Sequence, residues 1–294
     1  MMNINIWLDP SLLIICPNPN SPNMTSETKP TLHERICLDL DRQLKFANNI
    51  KVPSVPISRL TARGFRVEQV EPGDGEEKLN FSPCFFKPVE SSFLIENPVR
   101  EHFEPRPFPD IVYCSEDEDG LSLGDIPLEL QDYVWDHVEA YRRPLEASRS
   151  DEWVTLERTC PLRWSSRRPL PPVHDYTRPF ILGFQTRDLY EDRTYTTTDH
   201  WHPENRLESP SGEYPHMIVS IYHEANGHSR SLTKGEVKLA VRLLHFRHND
   251  PLFSKFDVLP LLIVSYMGPK HGRILQAHHN GERIVLQCSP LMSF

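Results

Sequence analysis

The chain has 294 residues, a formal charge of −9 and 38% hydrophobic residues, five of them Trp. That size fits one large domain or two small ones with a real core. The acidic balance argues against a general phosphate-backbone binder, which needs a clustered positive face, so nucleic acid is not an expected partner.

Charge and proline are unevenly placed. Residues 200–294 carry 10 Lys and Arg against 8 Asp and Glu, whereas residues 1–199 carry 22 against 33. Of the 28 prolines, 24 precede residue 216. The first two-thirds is therefore expected to be rich in loops and the end compact. The six cysteines (Cys16, Cys37, Cys84, Cys114, Cys160 and Cys288) form no C-x-x-C pair. At this length such a scatter reads as reduced thiols, giving a cytoplasmic or nuclear expectation and not a secreted one. The apolar stretch from Ile4 to Cys16 is broken by Asp9-Pro10 and has no basic residue ahead of it. It fits neither a signal peptide nor a span of about 20 apolar residues, so no membrane role is expected.

Residues 1–30 are read as a disordered arm, because 17–30 are polar and turn-forming. Residues 31–294 are read as a single α+β globular domain. Thr31 and Glu34 form a capping box before a helix whose apolar stripe is Leu32, Ile36, Leu40 and Leu44. Residues 51–115 are expected to be irregular. The acidic run Glu116 to Asp119 reads as a solvated loop. Asp125 and Pro127 open a second helix over 127–143, lined by Leu130, Val134, Val138 and Tyr141 and stopped by Pro144. Trp153 to Thr159 and Phe180 to Asp188 read as strands. Residues 161–179 and 189–215 read as long proline-rich loops.

Within the first of these loops, Arg168 to Pro172 resembles a polyproline-II peptide that an aromatic groove would bind. A protein partner is possible through that region, beside the plainer reading of a stiff surface crossing.

The last third is the best patterned. Met217 to Tyr222 reads as a strand. Thr233 and Glu236 form a second capping box, opening a helix over 234–248 with Val237, Ala240, Val241 and Leu244 buried. Val258 to Met267 is nearly all apolar, as suits a central strand covered on both faces. A hairpin follows, turning on Asn280-Gly281 as a two-residue loop that pairs His279 with Glu282, Ala277 with Ile284 and Leu275 with Leu286. Leu275, Ala277, Ile284 and Leu286 then share the core face, while Gln276, His278, Arg283 and Gln287 share the other. The fold class expected is α+β, with a mixed sheet of five or six strands, two covering helices, a C-terminal β-hairpin and an N-terminal helix.

Ten of the fourteen histidines lie in residues 200–294. A zinc or iron site needs three or four converging ligands. His200 and His202 share a strand spacing, and with His223 they are the candidate metal ligands. His223-Glu224 with His228 is one residue too long for the H-E-x-x-H helix. No G-x-S-x-G elbow, G-x-G-x-x-G or phosphate-binding G-x-x-x-x-G-K-[ST] occurs. Cys288 would need a base and exposure to react.

The element order from residue 125 resembles the core of PD-(D/E)xK nucleases. That resemblance implies Mg²⁺ held by two acids, with Asp188 as the first and Glu213 or Glu224 as the second. No Lys follows either Glu at the required spacing, and Glu236-Val237-Lys238 begins a helix, where its side chains diverge. Residues 259–294, LPLLIVSYMGPKHGRILQAHHNGERIVLQCSPLMSF, look like the ending of uncharacterised filamentous-fungal proteins, a likeness that begins near Met217 and implies a fold unit without an activity.

The expectation is a non-enzymatic intracellular interaction or regulatory protein without a cofactor. The alternative is a metal-dependent hydrolase, a degenerate nuclease-like enzyme using a divalent ion with Asp188, Glu224 and His223 as its catalytic candidates. A small-molecule tailoring enzyme is the further alternative.

Overall fold

The structure is a computed structural model. It describes residues 31–71, 79–86, 130, 142–144, 153–155, 163–164, 201–209, 211–268 and 270–293, with the side chains of 142–144, 153–155, 163–164, His202, Glu204 to Arg206 and Glu224 outside that description. The expected arm at 1–30, the acidic run and the strand at 180–188 lie outside the described residues.

Helix α1, Leu32–Asn48, starts at the capping box: Thr31 Oγ1 accepts from Glu34 N, and a Glu34 carboxylate oxygen accepts from Thr31 N. Ile36, Leu40, Leu44 and Ala47 are buried. Leu32 is not part of that buried stripe and stays 41% exposed. It belongs to the first turn, which overhangs the tight turn at Gly281.

Residues 51–115, expected to be irregular, contain three short elements: strand β1 (Ser54–Pro56), helix α2 (Ile57–Ala62) and strand β2 (Arg66–Gln69). Each is too short to show a period. They are held by Val55, Leu60 and Phe65, buried anchors in the main core.

Strand β3 (Arg142–Pro144) pairs antiparallel with β4 (Trp153–Thr155). The end of the expected helix at 127–143 is therefore extended: the backbone of Arg142 pairs with Thr155 and that of Arg143 with Val154, so these residues belong to a two-stranded ladder and not to a last helical turn. Of the remaining residues of that helix, only Leu130 is described; it is helical and buried.

Two further strands correct expected loops. Strand β5 (Arg163–Trp164) lies in the 161–179 connector, and β6 (Trp201–Glu208) lies in the 189–215 segment. The polar run WHPENRLE hides β6 from its own pattern. It is a strand because it pairs with β7 (Met217–Asn226), and a register shift between Pro203 and Arg206 absorbs the proline.

Strand β8 (Ser231–Thr233) pairs with β1 and runs into helix α3 (Lys234–Asn249), which carries the expected second capping box. A 3₁₀ turn (Pro251–Phe253) leads to β9 (Leu261–Gly268), β10 (His271–His279), β11 (Ile284–Cys288) and β12 (Met292–Ser293).

The main sheet runs β2-β11-β10-β9-β7-β6-β5, with β12 added on β10. Its β7/β9 and β11/β2 pairs are parallel and the others antiparallel. This is the expected α+β class with a mixed sheet and a C-terminal hairpin, enlarged to eight strands by three short ones, β2, β5 and β12. Strand β9 is buried along its whole length, as its apolar run requires.

The hairpin closes differently from expectation. His279 pairs with Ile284, Ala277 with Leu286 and Leu275 with Cys288, leaving residues 280–283 as the loop. Asn280 Oδ1 accepts from the Glu282 and Arg283 amides, so this side chain builds the turn. Gly281 supplies the left-handed residue at φ 92°. The shift from the expected register is two residues, which preserves facing. Leu275, Ala277, Ile284 and Leu286 accordingly still lie together in the core.

That core fills the face under α1 and α3, with Met217, Val219, Ile221, Leu261 and Ile263. The opposite face carries a smaller cluster of Ile218, Leu262, Val264, Tyr266 and Ile274, packed with Phe86 and Leu130. No described helix is long and apolar enough to cross a membrane.

Candidate functional site

Of the five candidate metal and catalytic residues, His223 is the one whose side chain is described; Glu213, the other acid offered by the nuclease resemblance, is exposed in the turn after β6. Asp188 and His200 lie outside the described residues, as does the Arg168 to Pro172 region. His202 and Glu224 are placed by backbone alone, on β6 and β7, where His202 pairs with Tyr222.

His223 sits where the ends of β7 and β9 meet the start of α3. Its Nε2 lies 3.0 Å from Ser265 Oγ. Thr233 Oγ1 lies 3.3 Å from the same nitrogen and also accepts from Glu236 N to cap the helix. The other oxygen contact of this constellation is Glu236 Oε2, which accepts from Thr233 N at 2.7 Å. A serine, a histidine and a carboxylate thus lie along one path, in an arrangement that superficially suits nucleophilic catalysis. Burial decides against that use: His223, Ser265, Thr233 and Glu236 are all at most 2% exposed. Gly235 seals the roof. A Cβ there would stand 2.5 Å from His223 Cε1 and 2.7 Å from Trp201 Cγ, so only glycine lets the helix start this close to the ring.

The same helix start holds a buried charge pair. Glu236 Oε1 lies 2.9 Å from Arg273 Nε on β10, off the hydrogen-bond axis, and both side chains are inaccessible. The pair bridges helix and sheet; breaking one member would strand the other charge. Glu236, which had the right letters for a metal-site motif with Lys238, is occupied in capping and ion pairing. Cys288 closes this end of the core. Burial pushes its thiol up to about 12, Arg273 opposing and Glu236 adding to the rise. It is therefore an inert core thiol.

The opposite face of the sheet has its own polar system. Gln276 and Gln287, paired across β10 and β11, join at 2.7 Å from Nε2 to Oε1. Together they hold the irregular segment 82–85. Gln276 Nε2 donates to Pro83 O, Gln276 Oε1 accepts from Phe85 N, and Gln287 Nε2 donates to Ser82 O and Glu68 Oε2. Beside them, Phe85 packs edge-on against His278 and Phe86 against His216. Burial drives both histidines down to about 4, helped at His278 by His279 and at His216 by Arg247.

A third histidine group joins α1, α3 and the hairpin. His248 lies between His33 and His279, with ring centroids 6.2 and 6.3 Å away. Burial drives His248 down to about 3, and the neighbouring histidines and Arg247 push the same way. Gly281 N donates to His279 Nδ1, so Nε2 carries the proton and donates to Asp39 at 3.1 Å. Burial pushes the Asp39 carboxyl up, but the His279 hydrogen bond and Arg42 outweigh it and hold it below the ordinary value. Among the described residues no three His, Cys, Asp or Glu side chains are placed to hold one metal ion.

No protein-family model, curated protein or solved structure matches the chain.

Sequence reasoning overlooked Ser265 and Thr233 as partners of His223, and Gln276 and Gln287 as a clamp. Polar residues inside strands otherwise apolar are the signal that finds both sets, since a buried polar group needs a partner.

Proposed function

We propose that this is a non-enzymatic interaction or regulatory protein. The observation that carries the reading is the use made of its reactive groups. His223 and Ser265 are sealed beneath Gly235 and Trp201, and Cys288 is held as a neutral thiol. Glu236 caps a helix and pairs Arg273. His223, Ser265 and Glu236, which could supply a base, a nucleophile and an acid, spend polar atoms joining one element to another.

The reading is tested by assaying the full chain on phosphodiester, ester and peptide substrates with added Mg²⁺, Mn²⁺ or Zn²⁺, beside His223→Gln. The expected result is no turnover and a His223→Gln protein that melts at lower temperature. A metal-dependent rate that disappears in His223→Gln while its melting temperature is kept would overturn the proposal.

A further inference from the structure

An open pocket of about 670 Å³ lies between α1 and α2, lined by Arg42, Lys45, Arg59, Arg63, Gln43 and Phe46. That volume falls within the roughly 300–1,000 Å³ usual for small-molecule sites. It is much larger than a single inorganic anion needs.

The spacing explains the convergence. Arg42 and Lys45 are three apart on α1, and Arg59 and Arg63 are four apart across the last turn and C-cap of α2, so each pair shares one face. The floor is fixed. Gln43 is buried and its Nε2 donates to Arg63 O, tying the two helices together. Phe46 packs on Phe65 and carries the Arg63 guanidinium 5.4 Å from its ring centroid. Gly64, at φ 93°, leaves bare backbone at the edge, where a Cβ would meet nothing nearer than 3.7 Å.

The described residues do not balance this charge. Arg42 pairs with Asp39, a carboxylate it already shares with His279. Lys45, Arg59 and Arg63 have no carboxylate partner among the described residues. Cations in a last helical turn do complement the helix dipole, but each C-terminus supplies only about half a negative charge. Four cations against Asp39 and two helix ends leave roughly two positive charges in one concavity, on a chain that is acidic overall.

We infer that this pocket binds a small organic anion carrying a diphosphate group. The guanidinium forks match phosphate oxygens in pairs, and Lys45 adds a point charge. Two phosphates match the excess charge, the volume leaves space for an organic body, and Phe46 offers an apolar wall. The inference is independent of whether the protein is an enzyme.

The test is titration calorimetry of the full chain with inorganic pyrophosphate and, separately, with orthophosphate at low salt. Saturable binding of pyrophosphate, tighter than orthophosphate and weakened about tenfold or more in Arg59→Ala/Arg63→Ala, is expected. Arg59 and Arg63 are exposed, so this variant should stay folded with only a small drop in melting temperature from the lost Phe46 contact, and Arg66→Ala, outside the pocket, should bind as wild type. Absence of saturation into the millimolar range would overturn the inference. So would equal affinity in the double variant, or equal affinity for the two anions.

Discussion

The two faces of the main sheet solve the same problem by different means. Under α1 and α3 the sheet offers mainly Leu, Ile, Val and Ala, and polar groups gather at the two ends, at the start of α3 and where His248 and His279 meet α1. On the other face two glutamines and two histidines are interleaved with the apolar residues. A helix satisfies its own amides except in its first and last turns, so its cover needs polar partners only at the ends. The segment 82–85 has no such internal bonding. Its backbone groups need partners from the sheet, and Gln276 and Gln287 supply them. The kind of cover therefore dictates the composition of the face beneath it.

Three measurements would break or sharpen this comparison. Acid should have the largest effect. His216, His278 and His248 are held neutral by burial, with values of about 4, 4 and 3. A histidine depressed in the fold supports stability above its unfolded value and withdraws it as pH falls towards the folded one. Each should thus cost about 2 kcal/mol on going from pH 7 to pH 5. Asp39, held low, adds to the loss only at still lower pH. Urea melts at the two pH values check this, and His278→Phe should flatten the dependence. A stability unchanged at pH 5 would mean that water reaches these rings.

Next comes the polar end of the helix face. Glu236→Ala leaves Arg273 buried without its counter-charge and removes half of a capping box. A loss of about 3–5 kcal/mol is expected in chemical denaturation. Glu236→Gln with Arg273→Met should recover much of it. Failure to recover would show that the cap, not the charge, is what matters.

The smallest effect belongs to the clamp. Gln276→Leu leaves Phe85 N and Pro83 O without the partner it supplied, at about 1–3 kcal/mol. The sharper readout is hydrogen exchange at the Phe85 amide, which should accelerate while amides in β9 keep their protection. Loss of protection in β9 as well would make the clamp part of the core.

What could be read from the residues follows the same division. Both capping boxes, the α3 stripe and the buried β9 declare themselves, because each is a local pattern longer than a turn. Strand β6 does not, since its strand character comes from β7 alongside and not from its own Pro, Glu and Asn. Nor do β1, α2 and β2, which are too short to show a period and are held by Val55, Leu60 and, just ahead of β2, Phe65. The hairpin shows the limit most clearly. Alternation assigns every side chain to its proper face but cannot tell a two-residue turn from a four-residue loop, because both keep parity. The contacts that choose are the Asn280 turn and the Gln276 to Gln287 pair, which the shorter loop would separate. For the site, His223 was visible as a residue, but its role was not. Its partners are 10 and 42 positions away, and Gly235 over the ring is a close approach that only the fold creates.

The parallel pairing of β2 with β11 also sets a schedule for biosynthesis. Glu68 and Gln287, bonded across that seam, are 219 residues apart. At about 5–20 residues per second, a ribosome takes roughly 10–40 s to deliver the second after the first. Throughout that interval α1 exists without the hairpin it covers and its apolar stripe has no seat. The N-terminal elements must wait in a nascent chain, and the sheet closes only when the last strands have left the exit tunnel.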